Sequence, residues 1–161
     1  MADDPHPIDA TTGHLDQLGV AYEVIEHDPA YGAVAEARAA GQEPANAVKS
    51  VLLRDVQGYE LVVIQASDRL DMRKVRDQLG ESRSELRLAT EEEMDADFGQ
   101  FELGAIPPMG EMLPAPEIVD RRVLDHERVL CNAGDHRHSV MLDPHALVRA
   151  ANAELADVRE D

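Results

Sequence analysis

Apolar residues along this chain fall into short runs whose spacing switches between helical and strand-like. Residues 11–18 carry Leu15 and Leu18 as an apolar stripe before Gly19, which predicts a short helix with a glycine stop. Residues 22–26 alternate around Val24 and predict a strand that Asp28-Pro29 interrupts. An alanine-rich stretch at 34–40, closed by Gly41, predicts a second helix. Residues 46–53 and 61–64 are apolar runs on either side of Asp55-Val56-Gln57-Gly58 and predict a hairpin. Met72, Val75 and Leu79 share one face of a helix over 70–79 that stops at Gly80. Leu86 and Leu88 alternate in a strand at 85–89, and Thr90 with Glu93 forms a capping box for the helix that follows. Strands are expected at 117–120, 128–133 and 139–142, with a turn at 121–124. Asp143-Pro144 opens a last helix running to about residue 155.

Strands joined mostly by short turns, with helices at irregular intervals, favour an α+β fold: a mixed, curved central β-sheet flanked by helices. The 161 residues are expected to form a single domain, 1–161, with residues 1–10 a loose N-terminal segment. Aromatic residues are scarce, with no Trp, three Tyr and two Phe, so the core is built from aliphatic side chains and Met. The single Cys131 precludes an internal disulfide and fits a reducing, cytoplasmic setting. No apolar run approaches a membrane span, and the polar, acidic N-terminus is not a signal peptide.

The net charge of −18 changes the picture, because it repels nucleic acid at long range. Its distribution is uneven: residues 69–87 carry six bases against four acids, while 88–127 carry eleven acids against two bases. Arg69, Arg73, Lys74, Arg76, Arg83 and Arg87 form a candidate basic strip. Abundant acid with only two lysines, Lys49 and Lys74, also suggests a protein adapted to high salt, where charge is screened.

Lys49 sits inside an apolar strand and shares a face with Val51 and Leu53. Two readings stay open on the residues alone: an ammonium that snorkels to water, or one that holds an anionic ligand at a pocket mouth. The loop 98–110, with Pro107-Pro108 between Gly104 and Gly110, cannot be a helix or central strand. It is either a rigid surface connection or a main-chain cradle for a small polar ligand or oxyanion. No P-loop, dinucleotide fingerprint or nucleophile elbow is present. His136 and His138, with Asp135, Cys131 and His126 nearby, could suggest a metal-dependent hydrolase, but their spacing matches no zinc framework. Cys131 within Val129-Leu130-Cys131 reads as inert core.

In combination these landmarks resemble the YbaK/ProX family of aminoacyl-tRNA deacylases, related to the editing domain of bacterial prolyl-tRNA synthetases. The resemblance spans about 22–151 and rests on Glu26-His27-Asp28-Pro29-Ala30, Val48-Lys49-Ser50-Val51-Leu52, Leu70-Asp71-Met72-Arg73-Lys74-Val75, the loop from Gly104 to Gly110, and Asn132-Ala133-Gly134-Asp135-His136. It implies hydrolysis of the ester joining a wrong amino acid to the 3′ acceptor end of a tRNA, with no cofactor and no metal. It implies catalytic roles for Lys49, Gly104 and Pro108, and substrate contacts from Ser50, Ala105, Ile106, Gly110, Gly134 and His136. Lys49 would anchor the terminal nucleotide through phosphate, the loop backbone would contact the substrate, and water helped by a ribose hydroxyl would attack. The alternative is a non-catalytic sensor of aminoacyl-tRNA ends, amino acids or nucleotides. Ser50 stands where relatives often have Thr, Phe98-Gly99-Gln100 where Thr-Gly-Tyr is familiar, and the doubled proline marks a divergent branch.

Overall fold

A computed structural model describes residues 6–113 and 115–161. Its elements run α1 (Pro7–Gln17), β1 (Glu23–Glu26), α2 (Ala33–Ala39), β2 (Val48–Asp55), β3 (Gly58–Gln65), α3 (Met72–Leu79), β4 (Arg87–Leu88), α4 (Glu91–Asp97), β5 (Glu117–Asp120), β6 (Val129–Asn132), β7 (His138–Leu142), α5 (Pro144–Ala151) and β8 (Glu154–Ala156). The fold is mixed α+β. Its strands divide into a five-stranded sheet, ordered β4-β2-β3-β5-β8, and a three-stranded sheet, ordered β1-β7-β6. A bridge between Ala47 and Leu130 links them. β2 and β3 form the expected antiparallel hairpin, whereas β3–β5 and β5–β8 are parallel.

Helix boundaries follow side-chain chemistry. Thr90 accepts from the Glu93 amide at 3.1 Å, and Glu93 accepts from the Thr90 amide at 2.9 Å, as the capping box requires. Asp143 caps α5 by accepting from the His145 amide. Two expectations are corrected. Residues 7–10 are not loose: α1 begins at Pro7, Asp9 accepts from the His6 amide at 2.9 Å, and Thr11 donates to the Ala133 carbonyl at 2.8 Å. Residues 1–5 of that expected loose segment lie outside the described residues. The last helix is shorter than its pattern: Asn152 turns left-handed at φ 51°, and the chain continues as β8 alongside β5.

The strand expected at 85–89 pairs only at Arg87–Leu88, so Leu86 is buried in the core while Leu88 stays exposed. Alternation along the β2–β3 hairpin sorts the core into two layers. Val48, Leu52, Leu61 and Val63 face the larger core, which includes Phe98, Ile106, Met109 and Leu147. Leu53, Val62 and Ile64 face a smaller core beneath α3, with Val75, Leu86 and Val158. Among the described residues no helix is long and apolar enough to cross a membrane.

The acidic surface carries its own prediction. Melting temperature is expected to rise from low to molar KCl, because screening relieves the self-repulsion of a −18 chain. A thermal melt series in KCl that stays flat would remove the high-salt reading.

Candidate active site

Lys49 lies near the start of β2, opposite Ile64 on β3. It is half-buried. The other half-buried bases are all engaged: Arg54 with Glu93 and Asp97, Lys74 with Asp157 and Asp161, Arg76 with the Leu86 carbonyl, Arg83 with Asp55, and Arg159 with Asp68. Among the described residues, Lys49 alone of the half-buried bases has no hydrogen-bond or ion-pair partner. Burial pushes its ammonium below the ordinary lysine range; Asp68 pulls the other way, and Arg69 adds to the lowering.

The basic strip is smaller than its sequence. Lys74, Arg76, Arg83 and Arg87 are consumed by internal partners, the last pairing with Glu93 at 2.8 Å. Arg69 and Arg73 are exposed and make no such pairs among the described residues. Lys49 and Arg69 thus stand near each other as cations without ion-pair partners among the described residues, with Asp68 beside them.

The Gly/Pro loop is mostly buried, not exposed as a surface connection would be: of 104–110, only Gly104 is open to solvent. Several of its amides are spoken for. Ala105 donates to Glu102, Met109 to Pro107, and Gly110 to the Glu117 carboxylate at 2.6 Å. The amides of Gly104 and Ile106 have no acceptor among the described residues. Gly104 adopts φ +83°, a conformation that favours glycine. His136 fastens this end of the loop: its Nε2 donates to the Leu103 carbonyl at 2.8 Å and its amide to Glu102 at 3.0 Å. Tyr31, 73% exposed, packs on the His136 ring at 4.4 Å between centroids.

His136 and Gly104 are therefore brought together, with the His136 ring 3.8 Å from where a Gly104 Cβ would stand. Gly134 is close by in a packing role, since a Cβ there would lie 2.6 Å from the Pro7 carbonyl and 2.9 Å from Phe101. Pro108 and Ala105 are buried. Ser50 faces the larger core opposite Val63, one residue away from Lys49 and on the other face of β2. Ile106 and Met109 pack on that larger-core face, so Lys49 and the loop approach β2 from different faces, and no hydrogen bond joins them.

Tyr31 was not singled out in the sequence, although it directly follows the His27-Asp28-Pro29-Ala30 landmark. Nor was a buried polar chain from α2 to β7. Ser139, fully buried, donates to Glu36, and His27 Nε2 stands 2.9 Å from the Ser139 hydroxyl. His27 Nδ1 donates to the Asp28 carbonyl at 2.8 Å, because a carbonyl can only accept. Burial pushes the Glu36 carboxyl up to about 7, Ser139 pulls it down, and Asp135 raises it further. The folded state thus keeps the Glu36 proton longer than the unfolded chain. The stability this gives is complete below the ordinary value of 4.5 and is lost as pH rises through about 7. Glu36→Gln is expected to cancel that loss. The variant's unfolding free energy should gain roughly 3 kcal/mol on wild type between acid and mildly alkaline pH. Parallel pH profiles in denaturant melts would refute it.

His126 meets Gln65, His138 meets Asp135 at 2.8 Å, and Cys131 is fully buried, so the residues considered for a metal are separately engaged. Among the described residues no three His, Cys, Asp or Glu side chains converge on a metal position.

The family model for the aminoacyl-tRNA editing domain matches residues 27–150, a span that holds Lys49, the Gly/Pro loop and His136. The chain belongs to the aminoacyl-tRNA editing domain family. It is accordingly an aminoacyl-tRNA deacylase, an ester hydrolase acting in translational fidelity. It is similar to the prolyl-tRNA editing protein ProX of Acetoanaerobium sticklandii, at 25% identity over 89% of this chain and 90% of that one. Among solved structures it is similar to a candidate trans-editing enzyme for prolyl-tRNA synthetase, at 28% identity and TM-score 0.84, covering 99% of this chain and 100% of that one. A scaffold protein used for computational epitope grafting matches equally well in shape, at TM-score 0.84 and 27% identity, over 98% of this chain and 99% of that one.

Proposed function

We propose that this editing-domain protein acts in trans, in the cytoplasm, on a tRNA carrying a wrong amino acid, and uses no side-chain nucleophile. The observation that carries the reading is the half-buried Lys49 ammonium without a partner, in a chain with 33 acidic residues to supply one. A desolvated cation left open is suited to an external anion, and the phosphate of a 3′-terminal nucleotide is that anion. Arg69 adds positive charge beside it, against the negative charge of Asp68. Because only the acceptor end is held, few phosphates need neutralising, which is compatible with the overall acidity.

The ester end is assigned to the loop. The unpartnered amides of Gly104 and Ile106 are the donors for the carbonyl oxygen as negative charge develops on it. Tyr31 and His136 supply an aromatic surface next to Gly104 on which a base can stack. Internal nucleophiles do not compete with water in this reading. Cys131 is fully buried with its thiol pushed well up by burial, and Ser139, although bonded to His27, is sealed from solvent. Water attack assisted by the vicinal ribose hydroxyl, with rate derived from positioning, completes the proposed mechanism.

The relatives' names direct the test to proline tRNA. Proline tRNA charged with each noncognate amino acid, assayed at low and at molar KCl, should reveal hydrolysis of at least one mischarged species while correctly charged tRNA survives. Binding without turnover across the whole panel would favour the sensor reading instead.

A further inference from the structure

At the end of the five-stranded sheet remote from Lys49 lies a cleft of about 670 Å³. Glu60 near the start of β3, Glu117 at the start of β5 and Glu154 at the start of β8 wall it, together with Glu111. Arg83 is its one basic residue and is already spent, with Nε 2.7 Å from Asp55 and Nη1 3.9 Å from Glu60. Glu117 is 3% exposed. One of its oxygens accepts from the Gly110 amide at 2.6 Å; the other, Oε2, is buried with no partner among the described residues.

That orphan oxygen is unpaired in either protonation state. As an acid it is a donor lacking an acceptor, and as a carboxylate it is an acceptor lacking a donor. Burial, with Glu60 nearby, raises the Glu117 carboxyl well above the ordinary range. Burial also lifts Glu60 to about 7, against the pull of Arg83. A cationic donor would satisfy the charged forms of both.

Two further features select the cation. Helices α3 and α5 end at Leu79 and Ala151, which both line the cleft, so two negative helix termini border it. The same two residues give the cleft an apolar part of its wall. Among the described residues no three metal-ligating side chains converge on one position, here or elsewhere, so the cleft offers no ready metal cage.

We propose that this cleft binds an aliphatic di- or polyamine, with ammonium groups on Glu117 and on Glu60 and Glu154, and methylenes along Leu79 and Ala151. Gly110 also lines the cleft, so the site adjoins the far end of the Gly/Pro loop; it lies away from Lys49, and amine binding does not depend on the deacylase mechanism. Calorimetric titration with putrescine and spermidine at fixed ionic strength tests it. Saturable binding is expected, with heats that change with buffer because cation binding releases protons from the raised carboxyls. Glu117→Gln and Glu154→Gln should each weaken affinity about tenfold. Glu154 is exposed, so its variant keeps the test open if Glu117→Gln does not fold. A control, Glu91→Gln with Glu92→Gln on exposed α4, should bind as wild type although it removes more charge. The proposal is overturned if no saturable heat appears, if the control weakens binding as much as the cleft variants, or if magnesium at equal ionic strength gives the same heats.

Discussion

Lys49→Ala is expected to lower deacylation of the mischarged substrate by about 100-fold or more while leaving the fold intact. The effect is large because the ammonium is the one half-buried base among the described residues with no hydrogen-bond or ion-pair partner, so it is open to a ligand. Removing it costs the protein no internal ion pair and trims a side chain whose head group had no partner. Melting temperature should therefore stay near wild type or rise slightly as a buried charge is deleted. Lys49→Arg keeps the charge but changes its shape, and should recover only part of the activity. Single-turnover rates with thermal melts on the same samples check this. Turnover that survives in Lys49→Ala would sink the anchor role, and a collapsed melt would show that the lysine serves the fold.

Gly110→Ala is expected to be the most destabilising small substitution in the loop. A Cβ there would sit 2.3 Å from the Ala115 carbonyl and 3.1 Å from the Glu117 Cβ. The turn cannot open freely, because the Ala115 amide donates back to the Gly110 carbonyl and the Gly110 amide is held by Glu117. The overlap should cost roughly 3 kcal/mol, or about 10 °C in melting temperature for a chain of this size. Gly13→Ala is the internal control: nothing lies within 4 Å of the new methyl inside α1, so helix propensity should make it stabilising. Equal melts for Gly110→Ala and wild type would mean the loop is not packed as described. In the proposed site Gly110 would act through the loop's shape, its amide being already bonded to Glu117.

The two variants divide the legibility of this protein between them. Lys49 was conspicuous in the sequence because a lysine breaks an apolar strand, and the capping box at Thr90 and the proline start at Pro144 were readable from neighbours a few positions apart. These signals are local. The partner of each base was not readable: Lys74 meets Asp161 across 87 positions, and Ser139 meets Glu36 across 103. No spacing rule reaches that far. The short strand β8 was hidden for a related reason: its apolar residues continue the helical pattern of α5, and only the left-handed Asn152 ends the helix before them. The loop was visible as glycines and prolines, but which amides remain free depended in part on Glu117 arriving from β5.

By itself the sequence determined the mixed α+β class and most of the helices and strands, β8 excepted, because periodicity, caps and turn residues act through neighbours along the chain. Tertiary structure decided which charges cancel. Packing turned a six-residue basic strip into two free arginines, left Lys49 without an ion-pair partner among the described residues, and buried Glu36 and Glu117 where their protons are held. Charge pairing and desolvation depend on distance through space, and the order of residues does not contain that distance.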